Sequence, residues 1–188
     1  MNGNLDLHHV VDLARPALLD YVKLHHHHAR ILIVVDVGIS LSPGANAFGI
    51  ERVIRLLRET SVGCMHFHVD VGQRSSGAFS VVPVPGGASP KYLGLRFNST
   101  MPDGSLVISH YDEVWCFGFK PHAALSPPTN DAEISAPGAL PASDAELAAL
   151  TTWMNNRGGM FATGDHDFLG APMCHRIPRI GTMRAWGM

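Results

Sequence analysis

Hydrophobic and polar residues follow two different patterns along the first half of the chain. Residues 31–35 form an uninterrupted, mostly β-branched apolar run, which is typical of a strand buried on both faces of a parallel sheet. Residues 48–60 instead carry apolar side chains at helical spacing, at Ile50, Val53, Ile54 and Leu57. In residues 64–71, polar and apolar side chains alternate as they do along a strand. The order strand, helix, strand predicts a right-handed crossover and parallel pairing.

The same alternation of elements returns in the second half. Residues 111–119 have the composition of another buried strand, and residues 160–163 that of a short one. Between them, Ser143 and Glu146 form a capping-box pattern, which marks the start of a helix. The apolar stripe of this helix is Leu147, Leu150, Trp153 and Met154. Together these segments predict an α/β fold with a mainly parallel sheet.

Several segments fall outside this alternation, and they set the domain boundaries that we expect. Residues 1–29 carry one helical pattern followed by four histidines, and we interpret them as a covering helix and linker. The α/β domain is assigned to residues 30–170. Within it, residues 72–110 form a hairpin-like excursion, whose prolines exclude a central strand, and residues 120–142 form a long loop that is either a lid or poorly ordered. Residues 171–188 form a basic C-terminal tail, and whether it is truncated stays open.

Composition limits the class of protein. With 188 residues and 20.3 kDa, the chain is long enough to bury a core without a disulfide or a metal. A formal net charge of −2 provides no overall basic field for nucleic acid, and no apolar run approaches the ~20 residues that span a membrane. The chain has no N-terminal signal pattern, and its 3 cysteines are odd in number and far apart. We therefore expect a cytoplasmic protein with reduced thiols.

The stretch 158–170 carries the candidate site. Gly164 allows a sharp turn after the strand, so that Asp165, His166 and Asp167 emerge at the strand's carboxyl end, where open α/β sheets bind ligands. Such a turn exposes the nucleophile in elbow-type hydrolases, and here the matching residue is a carboxylate, which can act as nucleophile or general base. Asp165 and His166 are the candidate catalytic residues.

Acidic residues follow the other predicted strands as well. Asp36, with Gly38 behind it, ends the first strand, and Asp70 lies at the end of the next. Because carboxylates that lie close together repel unless a cation or a shared proton relieves them, this edge is expected to bind a small polar ligand or a divalent metal. The ligand-binding candidates are Asp36, Gly38, Gly164 and Asp167. Aspartate at a strand end is also a common turn and helix-capping residue, and that interpretation stays open.

The densest group of potential metal ligands lies near the C-terminus. It combines carboxylate, imidazole and thiolate in Asp165, His166, Asp167, Cys174 and His175. Zinc or a similar divalent metal would suit these ligand types. Their spacing, however, matches none of the strong zinc signatures, because the chain has no paired Cys-x-x-Cys and no His-x-x-x-His on a helix.

A family resemblance depends on the apolar first strand, on residues 111–115, and on the capped helix that continues through residues 150–165 into Gly-Gly, a strand and Gly-Asp. In these features the chain resembles the class I glutamine amidotransferase-like superfamily, and within it the branch of ThuA-like and β-galactosidase middle-domain-like proteins. The resemblance covers residues 30–170. It implies a flavodoxin-like three-layer sandwich, with a mainly parallel sheet and helices on both faces.

The resemblance also bears on activity. Glutaminases of this superfamily have a nucleophilic cysteine at the elbow, whereas this chain has Asp165 there, with His166 next. They also take a His-Glu pair from a later segment, and the sequence ends at Met188 before such a segment. Glutaminase activity is therefore not expected. Either the chain is a fragment of a longer protein, or this branch has lost that apparatus.

Three functions fit these observations. The first is a glutamine amidotransferase-like domain without the usual catalytic cysteine, which binds a small polar ligand or a metal at Asp165 and His166 with Asp36 nearby. The second is a metal-dependent hydrolase that uses Asp165, His166, Asp167 and His175. The third is a non-catalytic scaffold or interaction domain of a larger protein. Each of these three functions is compatible with a homo-oligomer and with a further domain after the C-terminus. A receiver domain around Asp36 is disfavoured, because the turn-rich excursion interrupts its alternation.

Overall fold

The computed structural model describes residues 28–35, 41, 49–83, 89–117, 142–162 and 177. These residues form seven β-strands: β1 His28–Val35, β2 Ser61–Val62, β3 Met65–Gln73, β4 Ser80–Val81, β5 Tyr92–Leu93, β6 Glu113–Phe117 and β7 Gly159–Ala162. They also form two α-helices, α1 Ile50–Glu59 and α2 Asp144–Asn155, and the 3₁₀ turn Val107–His110. No helix among them is long and apolar enough to cross a membrane. The expected N-terminal covering helix lies outside the described residues, as do most of the loop expected at 120–142 and of the tail at 171–188.

All the described strands belong to one sheet, in the order β4, β5, β3, β1, β6, β7, with β2 paired to β3. β1 lies between β3 and β6 and is parallel to both. β7 is parallel to β6, and β5 is parallel to β3. Only the short strands β2 and β4 are antiparallel to their described neighbours. The prediction of an α/β fold with a mainly parallel sheet is confirmed.

The helix predicted from the apolar spacing in residues 48–60 is α1. Its residues Ile50 and Ile54 are buried, and Leu57 packs against the same cluster. The sheet contributes Ile31, Ile33, Val35, Val69 and Val71 to this cluster. Burying one aliphatic side chain of this size stabilises the fold by about 1.5–3 kcal/mol, so the stripe holds α1 on the sheet.

α2 begins with the capping box that the sequence predicts. The Glu146 N–H donates to Ser143 Oγ at 3.3 Å, and the Ser143 N–H donates to Glu146 Oε2 at 2.9 Å. Directly after α2, Arg157 adopts a left-handed backbone conformation (φ 73°). Gly158 has a different role, since a Cβ at this position would lie 2.3 Å from the indole ring of Trp153. The glycine permits close packing of Trp153 against the chain.

A second and larger cluster joins α2 to the turn-rich excursion. From β1 it contains Leu32 and Val34, and from α2 it contains Leu150 and Trp153. The excursion contributes the completely buried side chains Leu95, Phe97, Val107 and Ile108. This segment contains the antiparallel pair β4 and β5, with β4 at the edge of the sheet. The excursion is therefore a part of the core, which its turn-rich sequence did not indicate.

Candidate functional site at the carboxyl edge of the sheet

The strand ends from which the predicted site residues continue lie side by side. Val35, the last residue of β1, is opposite Gln73 of β3 and Phe117 of β6. At the end of β7, Ala162 is opposite Cys116 of β6. We call this border of the sheet, formed by Val35, Gln73, Phe117 and Ala162, the carboxyl edge.

The strand order creates a topological switch point at the carboxyl edge. After β1 the chain moves to β3 on one side, and it later returns to β6 and β7 on the other side. The connections that leave β1 and β6 therefore lead to opposite sides of the sheet, and open α/β sheets generally have a crevice between two such connections. Ligands of open α/β sheets bind in such a crevice.

The residues predicted to form the site follow these strand ends in sequence, but they lie outside the described residues. This applies to the ligand-binding candidates Asp36, Gly38, Gly164 and Asp167, and to the catalytic candidates Asp165 and His166. It applies also to Cys174 and His175, the remaining metal-ligand candidates. The structure thus brings together the strand ends that carry the predicted residues, while the positions of the residues themselves stay predictions.

A buried arginine lies at the carboxyl edge. Arg74 directly follows β3, and its backbone N–H donates to the carbonyl oxygen of Val35 at 2.8 Å. Its guanidinium is completely buried, forms an ion pair with Glu146 in the first turn of α2, and lies 4.9 Å from the ring centroid of Phe97. The ion pair therefore attaches the start of α2 to the ends of β1 and β3.

Glu146 is the centre of this arrangement. Its Oε1 accepts hydrogen bonds from Arg74 Nη1 and, at 3.1 Å, from the Phe97 N–H. Its Oε2 accepts from the Ser143 N–H and lies 3.8 Å from Arg96 Nη1. Burial alone would raise the pKa of Glu146, but the charge and hydrogen bond of Arg74, with the two backbone donors, outweigh burial and hold this pKa below its usual value. Glu146 is therefore ionised at neutral pH.

We call Arg74, Arg96 and Glu146 the edge cluster. Arg74 and Glu146 are buried, whereas the side chain of Arg96 is 32% exposed. With two guanidinium groups and one carboxylate, the three side chains sum to one positive charge. Among the described residues, the only partner of the Arg96 guanidinium is the Glu146 carboxylate at 3.8 Å, beyond hydrogen-bond range. The cluster thus presents a positively charged group at the carboxyl edge.

Asp70 does not lie at this edge, and the expectation that it would is wrong. It is opposite Leu32, inside the sheet, and β3 continues to Gln73. Its Oδ2 accepts hydrogen bonds from Lys91 Nζ and from the Tyr111 hydroxyl, each at 2.7 Å. The Tyr111 hydroxyl is also 2.8 Å from that of Tyr92. We call Asp70, Lys91, Tyr92 and Tyr111 the tyrosine network.

In the tyrosine network, the pKa values of Asp70, Lys91 and Tyr111 are shifted by their surroundings. Burial would raise the pKa of Asp70, but hydrogen bonds from Lys91 and Tyr111 and the charges of Lys91 and His68 lower it below its ordinary value. Burial would lower the pKa of Lys91, and its hydrogen bond to Asp70 and the charge of Asp70 raise it instead. Burial and the hydrogen bond to Asp70 raise the pKa of the Tyr111 phenol far above its ordinary value. A paired carboxylate and a neutral phenol suit a structural role, which joins the excursion to β3.

Metal ligation receives no support from the described part of the chain. No group of three or more His, Cys, Asp or Glu side chains there could hold a metal ion. Of the histidine run, only His28 is described, and its ring lies 5.9 Å from that of His66. Cys64 is exposed and Cys116 is buried, and neither forms a disulfide. The predicted metal ligands near the C-terminus lie outside these residues.

Sequence reasoning missed the edge cluster. It assigned Glu146 only to the capping box, and it gave no role to Arg74 or Arg96. One available signal was the position of Arg74 three residues after the strand predicted at residues 64–71, since α/β folds gather their functional side chains at strand ends.

No family model, curated protein or solved structure matches this chain. The resemblance to glutamine amidotransferase-like proteins therefore stays a prediction.

Proposed function

We propose that this chain is a glutamine amidotransferase-like domain without the usual catalytic cysteine, and that it binds a small polar ligand at the carboxyl edge between β1 and β6. The observation that carries the proposal is the strand order. In chain order the four longer parallel strands, β1, β3, β6 and β7, are arranged second, first, third, fourth across the sheet, and the two-residue strand β5 is parallel to β3 on its outer side. This arrangement matches the beginning of the flavodoxin-like order, in which the ligand binds where the order reverses.

The two core clusters support the finer part of this proposal, a flavodoxin-like three-layer sandwich. α1 packs in a cluster with Ile31 and Ile33, and α2 packs in a cluster with Leu32 and Val34. Because successive residues of a strand point to opposite faces of the sheet, this alternation favours one helix on each face.

The proposed ligand site consists of residues that follow the strand ends. Asp36 follows Val35 directly, and Gly164 and Asp165 follow Ala162 after one further residue. Carboxylates in this position would accept hydrogen bonds from a ligand's hydroxyl or amide groups. The edge cluster lies next to this proposed site and contains residues that follow β3 and β5 and one residue of α2. Its buried ion pair fixes the backbone after β3 and at the start of α2.

A thermal-shift experiment tests the proposal. The probes are glutamine, glucose and acetamide as small polar molecules, and Zn²⁺ as the metal. A ligand that binds only the folded state raises the melting temperature by mass action, so at least one polar probe should stabilise the wild type and lose its effect in Asp165→Ala. Glu59→Gln, an exposed substitution at the end of α1, is the control and should retain the effect.

Metal analysis and the same thermal-shift experiment distinguish the two other functions. A metal-dependent hydrolase predicts stoichiometric metal in untagged protein and its loss in an Asp165→Ala, His166→Ala double variant, as measured by elemental mass spectrometry. If the chain is a non-catalytic scaffold, no polar probe should raise its melting temperature. If every probe stabilises Asp165→Ala as much as the wild type, the proposed site is wrong.

A further inference from the structure

We infer that the ligand carries an anionic group, a carboxylate or a phosphate, and that the guanidinium of Arg96 binds it. This inference rests on the proposed function and adds the chemical class of the ligand to it. Its basis is the edge cluster, where a partly exposed arginine lies beside a carboxylate whose hydrogen bonds come from other groups.

Arg96 is held at the carboxyl edge by its neighbours in sequence. Leu95 and Phe97 are completely buried, and they fix the backbone on both sides of Arg96. The Leu95 N–H donates to the carbonyl oxygen of Gln73 at 3.0 Å, and the Arg96 N–H donates to Ser99 Oγ at 2.9 Å. The guanidinium therefore starts from a rigid position beside the end of β3, so little backbone ordering would accompany ligand binding.

The carboxylate of Glu146 does not satisfy this guanidinium. Its oxygens already accept hydrogen bonds from Arg74, Phe97 and Ser143, while Arg96 Nη1 stays 3.8 Å away. Arginine presents several N–H donors in a planar fork that matches the oxygens of a carboxylate or a phosphate. Glu146 is thus close enough to orient the guanidinium, and the donors that point away from it are available to an anion.

Within the edge cluster, the charges favour an anion over a neutral molecule. The edge cluster sums to one positive charge, and its only carboxylate belongs to an ion pair with a buried arginine. The first turn of α2 adds the positive end of a helix dipole, and of its two acidic residues Glu146 is paired with Arg74 and Asp144 is exposed. An anion beside Arg96 would be partly shielded from water, where a charge-assisted hydrogen bond is stronger than at an open surface.

The test is a titration followed by nuclear magnetic resonance of ¹⁵N-labelled protein at constant ionic strength. The probes are acetate and inorganic phosphate, with acetamide as the neutral isostere of acetate. Acetate or phosphate should shift the backbone amides of Arg96 and Phe97 in a saturable manner, while acetamide at the same concentration should not. A stronger effect of phosphate would identify a phosphate ligand, and a stronger effect of acetate would identify a carboxylate.

Substitutions assign the effect to Arg96. Arg96→Gln should weaken anion binding at least about tenfold, the loss expected for one charge-assisted hydrogen bond. Arg96→Lys, which keeps the charge but not the fork, should weaken it less. Arg55→Gln makes the same charge change on an exposed position of α1 and should leave the affinity within about twofold. Each variant's amide spectrum verifies that it is folded.

The outcomes separate this inference from the proposed function. Equal shifts by acetate and acetamide, no shift by either anion, or equal anion affinity in Arg96→Gln and wild type would overturn the inference. If, after such a result, a polar probe still binds in an Asp165-dependent manner, the proposed function stands and only the inference about Arg96 fails. If acetate binds through Arg96 while Asp165→Ala changes the response to no probe, the anion site stands and the proposed function fails.

Discussion

Arg74 and Glu146 form a buried ion pair between residues that are 72 positions apart in the sequence. The pair joins the end of β3 to the first turn of α2, and through the backbone bond of Arg74 to Val35 it also reaches the end of β1. The ends of β1 and β3 and the start of α2 are therefore held together at one point of the carboxyl edge. We expect this pair to determine both the stability of the domain and the shape of the crevice beside it.

Glu146→Gln should destabilise the protein by about 3–5 kcal/mol, because it leaves the buried charge of Arg74 without this carboxylate. It also weakens the capping box, whose Oε2 acceptor becomes an amide group. Urea unfolding monitored by tryptophan fluorescence measures the change in the free energy of unfolding. The matched control is Glu59→Gln at the exposed end of α1, which should change it by less than about 0.5 kcal/mol. Equal effects of the two substitutions would refute the structural importance of the ion pair.

Asp70→Asn should produce a loss of stability that depends on pH. Because hydrogen bonds and charges lower the pKa of Asp70 in the folded state, its contribution is fully present above the unfolded-state pKa of about 3.9. This contribution disappears as the pH falls through the folded-state pKa, since both states then bind the proton. We expect the variant to be less stable than the wild type by about 1–3 kcal/mol at pH 7.

The measurement for Asp70 is urea unfolding of both proteins between pH 2.5 and pH 7. The difference in the free energy of unfolding should be constant above about pH 5 and should shrink below about pH 4. A difference that stays the same throughout this range would show that the charge of Asp70 contributes nothing to the tyrosine network.

Gly158→Ala should destabilise the domain by about 1–3 kcal/mol through overpacking. The added Cβ would lie 2.3 Å from the Trp153 ring, which is part of the core and donates its indole N–H to the Tyr111 carbonyl oxygen. Thermal unfolding gives the stability, and the tryptophan emission reports the displaced ring. Gly77→Ala is the control, because the nearest atom to its Cβ would be a serine hydroxyl at 3.4 Å. If Gly158→Ala is as stable as this control, the Trp153 ring moves away from the added Cβ without loss of stability, and the overpacking explanation is wrong.

Local features of the fold follow from the sequence, and the reason is physical. The capping box of Ser143 and Glu146 and the stripe of Ile50, Ile54 and Leu57 involve partners within two turns of helix. Such interactions depend on spacing alone, so the sequence predicts both helices and their alternation with the strands.

The features that the sequence did not reveal depend on distant partners. Glu146 fits a capping box so well that nothing in the local sequence indicates its pairing with Arg74. Asp70 looks like a strand end because Gly72 comes two residues later, yet β3 continues to Gln73, and Leu95 fills the space above Gly72. The excursion has a turn-rich sequence, although Phe97 and Ile108 are completely buried. In each case tertiary contacts override the local pattern.

The central claim is that a small polar ligand binds at the carboxyl edge between β1 and β6. The most direct test is to titrate ¹⁵N-labelled protein with glutamine, glucose and acetamide and to locate the backbone amides whose resonances shift. We expect the largest shifts beside the switch point, at Val35, Gln73, Arg74 and Phe117. Shifts concentrated at the opposite end of the sheet, near His28 and His66, or no saturable shift with any probe, would contradict this claim.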